Sequence, residues 1–134
     1  MIMNHSMPPS VIIPELAYPD VREAVEWLCR SFGFVERLRI GNHRAQLLFG
    51  QGSVIVTGQG GDPSASSSLL VRVDGIDNHY EHAKQVGARI LSPPADYPYG
   101  ERQYTVEDLA GHRWTFSQTI ADIDPKTWGG TLFE

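Results

Sequence analysis

Histidines and carboxylates are the residues of this chain that could bind a metal ion or move a proton. The 134 residues include 5 histidines and 16 acidic residues. His79 and His82 are three residues apart on a predicted helix; this spacing permits chelation but is typical of a solvated helix face. His112 follows a turn glycine and opens the last predicted strand, yet the residues after it offer no second metal ligand at strand spacing. We therefore interpret His112 as a residue that bonds turn backbone.

The composition limits the class of protein. A net charge of −5 and a pI near 5.5 argue against a nucleic-acid surface, which needs a clustered excess of Lys and Arg. No apolar run approaches the ~20 residues of a membrane-spanning helix. The single cysteine, Cys29, cannot form an intramolecular disulfide and fits a reducing compartment. The first ten residues lack the pattern of a signal peptide, so we expect a cytoplasmic protein with a flexible tail over residues 1–9.

Two stretches of the chain repeat one pattern, "AYPDVREAVEWLCRSFGF" and "VRVDGIDNHYEHAKQVGA". Asp20 and Asp74 lie 54 positions apart, as do Gly33 and Gly87. An aspartate followed by apolar residues at 3.6-residue spacing and then a glycine indicates a helix with an N-cap and a left-handed C-cap. The repeat therefore predicts two equivalent helices that begin at the aspartates.

Each predicted helix lies within a set of strands. The first half predicts strands over 11–18, 35–40, 43–49 and 53–57, and the second over 68–73, 89–91, 101–107 and 112–120, with "SPPADYPYG" as a loop. This is an α+β fold of two βαβββ modules, 10–57 and 68–120, which form one domain over 10–120. Residues 58–67 read as a flexible linker and 121–134 as a C-terminal tail that docks through Trp128, Leu132 and Phe133.

Two segments carry a family resemblance, the run that ends in "SFGF" and the ending "YPYGERQYTVEDLAGHRWTF". They are similar to the vicinal oxygen chelate superfamily of glyoxalases, bleomycin-resistance proteins and extradiol dioxygenases, most of all to its phosphonate-locus-like and bleomycin-resistance-like branches. The resemblance covers about residues 10–120. It implies paired modules whose sheets curve around a cleft, usually in a homodimer of a bacterial-type protein.

The resemblance also gives the positions of the family's metal ligands. In this sequence those positions hold Ile13, Val56, Ser68 and Thr115. Divalent ions of this kind are bound by imidazole and carboxylate groups, which none of these residues has. We therefore expect a metal-independent protein without a cofactor.

Strand alternation indicates which side chains line the cleft. If Thr115 points into it, Arg113 and Ser117 share its face, Gln103 and Thr105 do so on the neighbouring strand, and Val54 and Val56 do so in the first module. Tyr97 and Tyr99, on a proline-stiffened loop, and His43, at a hairpin, complete the candidates. The predicted ligand-binding residues are Arg113, Thr115, Gln103, Thr105, Ser117, Tyr99, Tyr97 and His43.

Three functions fit these residues. The first is metal-independent binding of a small molecule, cationic or aromatic, as in antibiotic resistance. The second is a glyoxalase-like isomerase, lyase or epimerase acting through His43, His112 or Glu15. The third is a partner-binding module whose cleft is filled by its own aliphatic side chains, among them Ile13 and Val54. Because the residues at the family's metal-ligand positions cannot bind a divalent ion, metal-independent binding of a small molecule is favoured.

Overall fold

The computed structural model describes residues 2, 4–58 and 68–133. Most of the predicted linker, residues 59–67, lies outside this part of the chain, as do residues 1 and 3 of the N-terminal tail and residue 134 of the C-terminal tail. The chain divides into two compact units, one for each predicted module, with Leu109–His112 grouped with the first. In the described residues no helix is long and apolar enough to span a membrane.

The first unit is a βαβββ module. It contains β1 (Glu15–Ala17), α1 (Val21–Phe32), β2 (Val35–Ile40), β3 (Arg44–Phe49) and β4 (Gly52–Thr57). The strand order is β1-β4-β3-β2, with β1 parallel to β4 and the other pairs antiparallel. Strand β1 is shorter than predicted, because Pro14 cannot donate to the ladder, and Val11 and Ile12 are exposed.

The second unit repeats this topology. It contains β5 (Ser68–Arg72), α2 (Ile76–Gln85), β6 (Arg89–Tyr97), β7 (Glu101–Glu107) and β8 (Arg113–Thr119), followed by a 3₁₀ helix (Pro125–Trp128). The strand order is β5-β8-β7-β6, again with one parallel pair, β5 and β8. The predicted α+β fold of two βαβββ modules is therefore confirmed.

The face of the first sheet that α1 covers differs from the prediction. Arg22 of α1 forms an ion pair with Glu36 of β2, and Glu36 is aligned with Leu47, which is aligned with Val54. Aligned residues share a face, so Val54 and Val56 point towards α1 and not into a cleft. The opposite face carries Ile55 instead. The prediction was wrong by one residue, which exchanges the two faces of a strand.

The start of α2 also differs from the repeat. Asp20 caps α1 as predicted, since its side chain accepts a hydrogen bond from the Glu23 N–H. In α2 the N-cap is Gly75, which offers no side-chain bond, and the Ile76 N–H donates to Gln118 Oε1 instead. The free N–H groups at the start of a helix need acceptors. Here a side chain from β8 takes the role predicted for Asp74.

Strand β6 continues through the segment predicted as a loop. It runs to Tyr97, with shifts in register between Ile90 and Ser92 and between Ser92 and Ala95. The two prolines that suggested a loop, Pro93 and Pro94, fall within the second shift. An edge strand tolerates proline at such irregular positions, because the missing N–H is not needed for pairing there.

Candidate functional site

One face of the second sheet is mainly polar, and it is the face turned away from α2. The opposite face packs on α2, because Tyr104 and Phe116 contact His79 of that helix. Register alignment then assigns to the polar face the side chains of Leu70, Arg72, Ala95, Tyr97, Glu101, Gln103, Thr105, Arg113, Thr115 and Ser117. All the predicted ligand-binding residues of β7 and β8 are among them.

Hydrogen bonds join four side chains into a line across this face. The Tyr99 hydroxyl donates to Gln103 Oε1 at 3.2 Å, and Gln103 Nε2 donates to Ser117 Oγ at 3.0 Å. Ser117 Oγ in turn donates to Glu101 Oε1 at 2.6 Å. Each side chain holds the next in one orientation, so the polar atoms are fixed before any ligand arrives.

Glu101 is the negative end of this line. Hydrogen bonds from Ser117 and, second, from Thr119 lower the pKa of Glu101, while burial opposes them and the charge of Arg72 adds a smaller lowering. The carboxylate thus stays ionised and acts as an acceptor. Its bonds with the two hydroxyl groups leave it a weak candidate for a general base.

The other end of the polar face is less connected. Thr105 Oγ1 and Thr115 Oγ1 lie 3.2 Å apart and bond to each other. Arg113 is exposed and lies opposite Glu107 in register. Between this end and Arg72, the side chain of Leu70 is 65% exposed. Apolar and hydroxyl groups side by side suit a ligand that is itself partly apolar.

Three aromatic side chains adjoin the polar line. Tyr97 and Tyr99 stack with ring centroids 5.5 Å apart, and Trp128 packs edge-on against Tyr99 at 5.6 Å. All three keep between 38% and 45% of their surface exposed. The C-terminal segment brings Trp128 here because the N–H groups of Ile120 and Ala121 both donate to the Gly100 carbonyl. The tail therefore docks on its own hairpin through Trp128, beside the polar face, whereas Leu132 and Phe133, which were predicted to dock as well, are exposed.

Comparison with known proteins identifies the family. A model of the Glyoxalase/Bleomycin resistance protein/Dioxygenase superfamily matches residues 3–116. The chain belongs to this superfamily. A solved structure of TioX from Micromonospora sp. ML1 is 37% identical, covers 86% of this chain and 100% of its own, and superposes with a TM-score of 0.71.

Two further proteins are more distantly similar to the chain. TnmS3, described as an antibiotic binding protein from Streptomyces sp. CB03234, is 21% identical over 84% of this chain and 98% of its own, with a TM-score of 0.72. The uncharacterised protein Mb0911c of Mycobacterium bovis is 24% identical over 83% of this chain and 84% of its own length. The likeness to TnmS3 carries the architecture and not the choice of ligand.

The superfamily's metal does not fit the residues present. Ile13 precedes β1, Val56 faces α1, and the side chain on the open side of the same strand is Ile55, which also cannot bind a cation. In the second module Thr115 bonds to Thr105, and the exposed Ser68 carries only a hydroxyl. Within the described residues, no three His, Cys, Asp or Glu side chains are grouped to hold a metal ion.

The remaining predicted residues belong to the first unit. His43 belongs to the first unit, at the exposed turn between β2 and β3. Glu15 forms an ion pair with Arg44 at 2.5 Å. His112 is buried and its Nε2 lies 2.8 Å from the Ala17 carbonyl, so it must donate there. It is thus a structural residue that bonds to strand β1.

His79 was predicted to lie on a solvated helix face and does not. Its Nδ1 is hydrogen-bonded to the Tyr104 hydroxyl at 2.5 Å, and its ring packs on Phe116 at 4.2 Å. The helical spacing of three and seven residues from Ile76 to His79 and Ala83 places all three on the packing side. That spacing was the signal that could have assigned the residue correctly.

Sequence reasoning also missed three residues of the polar face and its wall. Glu101 alternates with Gln103 along β7, so the alternation that selected Gln103 could have selected it too. Arg72 is aligned with Ser117 across two parallel strands, and that register is not visible in the sequence. Trp128 was expected to dock, but the sequence did not indicate where. Its contact with Tyr99 shows the position.

Proposed function

We propose that this chain binds a small molecule with an aromatic ring on the polar face of its second sheet, without a metal ion. The hydrogen-bonded line through Tyr99, Gln103, Ser117 and Glu101 is the observation that carries the proposal. It supplies fixed donors and acceptors in one row, while Leu70 and the tyrosines supply apolar surface beside it. A few fixed polar groups among apolar ones are typical of ligand sites.

An aromatic ligand is favoured over a purely cationic one. Tyr97, Tyr99 and Trp128 keep much of their ring surface exposed, and ring stacking or edge contact contributes about 0.5–1.5 kcal/mol per pair beyond burial. A cation would have to compete for Glu101 with two hydroxyl donors and would meet Arg72 and Arg113 on the same face. The charges therefore suit a ligand that carries acceptors as well as donors.

One structural neighbour supports binding over catalysis. TnmS3, which has the same fold, is described as antibiotic binding. TioX, the more similar protein in sequence, shares 37% of aligned residues across nearly the whole domain. We propose that the present chain has a similar task, sequestering an aromatic natural product in the manner of the bleomycin-resistance-like branch.

Isothermal titration against a panel of aromatic antibiotics tests the proposal. We expect at least one compound to bind, and Gln103→Leu to weaken that compound about 3- to 10-fold, because one hydrogen bond contributes about 0.5–1.5 kcal/mol. Gln85→Leu is the matched control, since the same change is made at an exposed position on α2. Absence of binding across the panel, or equal effects of the two variants, would contradict the proposal.

Metal independence needs its own measurement. Elemental mass spectrometry of the purified protein should find less than stoichiometric Zn, Ni, Mn or Fe, and chelation should leave ligand affinity unchanged. A stoichiometric ion whose removal abolishes binding would instead favour the glyoxalase-like reading of the chain.

We extend the proposal to assembly and location, a homodimer in the cytoplasm of a bacterial-type cell. The superfamily resemblance supports the dimer, and the single cysteine supports a reducing compartment. Light scattering after size exclusion should give twice the 14.9 kDa mass of the chain. A monomeric mass at micromolar concentration would contradict the dimer without affecting the ligand site.

A further inference from the structure

The N-terminal segment, residues 5–10, is bonded to the first sheet on the face away from α1. Arg37 Nη2 donates to the His5 carbonyl at 2.8 Å, and Gln46 Nε2 donates to the Ser6 carbonyl at 2.8 Å. Two side chains of the sheet thus hold two consecutive peptide carbonyls. The sequence predicted a flexible tail over residues 1–9, and these contacts were not expected.

The two donors are fixed by each other. Arg37 Nη1 donates to Gln46 Oε1 at 2.6 Å, so one guanidinium binds both the amide of Gln46 and the main chain of His5. Gln46 is only 3% exposed. Its carbonyl oxygen is held by Arg37, which leaves the amide N–H groups directed at Ser6. With the segment in place the amide is therefore both buried and paired, as buried polar groups generally are.

The far end of the segment is held in a different way. Ser10 Oγ donates to the Gln51 carbonyl at 2.9 Å and lies 2.6 Å from Ser53 Oγ. Between the two ends Pro8 is buried, whereas the side chains of His5, Ser6 and Met7 are exposed. The sheet and its turn therefore bond two main-chain carbonyls and one hydroxyl of the segment, Pro8 is buried, and the side chains of His5, Ser6 and Met7 take no part in these bonds.

We propose that this face of the first sheet is a peptide-binding site that the chain's own N-terminal segment occupies in cis. Its ligand class is a peptide that forms a turn, closed here by a hydrogen bond from the Met7 N–H to the Asn4 carbonyl, with two consecutive accepting carbonyls in the turn, a proline two residues after the second, and a hydroxyl two residues after that. The tethered segment competes with any such peptide in trans, because a short tether holds it at a millimolar effective concentration. This site lies on a different sheet from the proposed small-molecule site and does not depend on it.

The test uses the segment itself as the probe. A chain that begins at Val11 is titrated with the acetylated, amidated peptide NHSMPPS, which corresponds to residues 4–10. We expect saturable binding to the shortened chain and at least tenfold weaker binding to the full chain. The same peptide with glycine in place of Pro8 should bind the shortened chain more weakly.

Variants of the donors separate this site from non-specific adhesion. In the shortened chain, Arg37→Met and Gln46→Leu should each reduce peptide affinity at least tenfold, while Arg30→Met, an exchange of the same type on α1, should not. Failure of the folded, shortened chain to bind at millimolar peptide would overturn the proposal. Equal affinity of the full and shortened chains would overturn it as well.

A second route applies if the shortened chain does not fold. The full chain with Pro8→Gly and Ser10→Ala keeps both donors but loosens the segment, and we expect it to bind the peptide where the unmodified chain does not. No binding by the loosened chain would overturn the proposal.

Discussion

Glu36 of β2 accepts a hydrogen bond from Arg22 of α1 at 2.6 Å, and the same carboxylate accepts two from Arg39. The contact joins helix to sheet, and both side chains of the Arg22–Glu36 pair are only 22% exposed. It also identifies the face of the first sheet on which Val54 and Val56 lie. The pair is thus a stabilising contact as well as a marker of register.

Neutralising Glu36 should make stability depend less on pH. Bonds from Arg39 and, second, from Arg22 lower the pKa of Glu36 to about 2. A carboxylate with a lowered folded-state pKa stabilises the fold above its ordinary pKa, and this contribution is lost as pH falls towards 2. We expect Glu36→Gln to cost about 1–2 kcal/mol at pH 7 after allowance for solvent screening, and the cost to vanish near pH 2. Urea unfolding at several pH values measures this.

Glu15→Gln is the control for that experiment. Glu15 pairs with Arg44, but its side chain is 56% exposed, and exposed pairs contribute little. We expect a change within about 0.5 kcal/mol across the same pH range. A constant gap between Glu36→Gln and the unmodified chain from pH 7 to pH 2 would contradict the assigned role of the carboxylate.

The two helix starts should respond differently to the same substitution. Asp20→Ala removes the side chain that accepts from the Glu23 N–H and should cost about 1 kcal/mol. Asp74→Ala should cost less than about 0.5 kcal/mol, because Gly75 is the N-cap and Gln118 accepts from the Ile76 N–H. Chemical denaturation of both variants measures this. Equal losses would mean that Asp74 caps α2 after all.

The sequence predicted the architecture because the repeat and the alternation of apolar residues are local signals. Both helices and all eight strands are present. The errors came where a shift of one residue changes the assignment. The N-cap Asp20 corresponds to Gly75 and not to Asp74, so the two helix starts are 55 positions apart. A shift of one residue moves a strand side chain to the other face, which is why Val56 was assigned to the cleft in place of Ile55.

The features that the sequence did not predict depend on contacts between residues distant in sequence. Ser6 meets Gln46 and Trp128 meets Tyr99 across 40 and 29 positions, and no periodicity predicts such pairs. The face of β7 and β8 was predicted correctly because alternation runs along each strand. Its hydrogen-bonded line was not, since that requires the register between strands and the rotamer of each side chain.

Gly100 should be the glycine least able to accept a side chain. It has φ of +85°, and an added Cβ would lie 2.4 Å from the Ala121 carbonyl oxygen. Gly87 is a matched control, because its φ is also +85° but nothing lies within 4 Å of such a Cβ. We expect Gly87→Ala to cost about 1 kcal/mol for the left-handed backbone. Gly100→Ala should cost at least about 1 kcal/mol more, as overpacking does.

The extra cost of Gly100→Ala should fall on the docking of the C-terminal segment. The Ile120 and Ala121 N–H groups donate to the Gly100 carbonyl, so hydrogen exchange at these amides should accelerate in Gly100→Ala and stay unchanged in Gly87→Ala. Ligand affinity should fall as well if Trp128 forms part of the site. Equal unfolding midpoints for the two variants would show that the turn relaxes without disturbing the tail.

His112 should stabilise the fold through its bond to Ala17. The ring is buried, donates from Nε2 at 2.8 Å and packs edge-on against Tyr18 at 4.8 Å. We expect His112→Ala to lower the free energy of unfolding by about 2–3 kcal/mol, since it removes both a hydrogen bond and a buried ring. His112→Gln keeps a donor and should recover part of the loss, whereas His43→Ala, at an exposed turn, should change it by less than about 0.5 kcal/mol. Urea denaturation compares the three variants. Equal stability of His112→Ala and His43→Ala would leave the bond to Ala17 without energetic consequence.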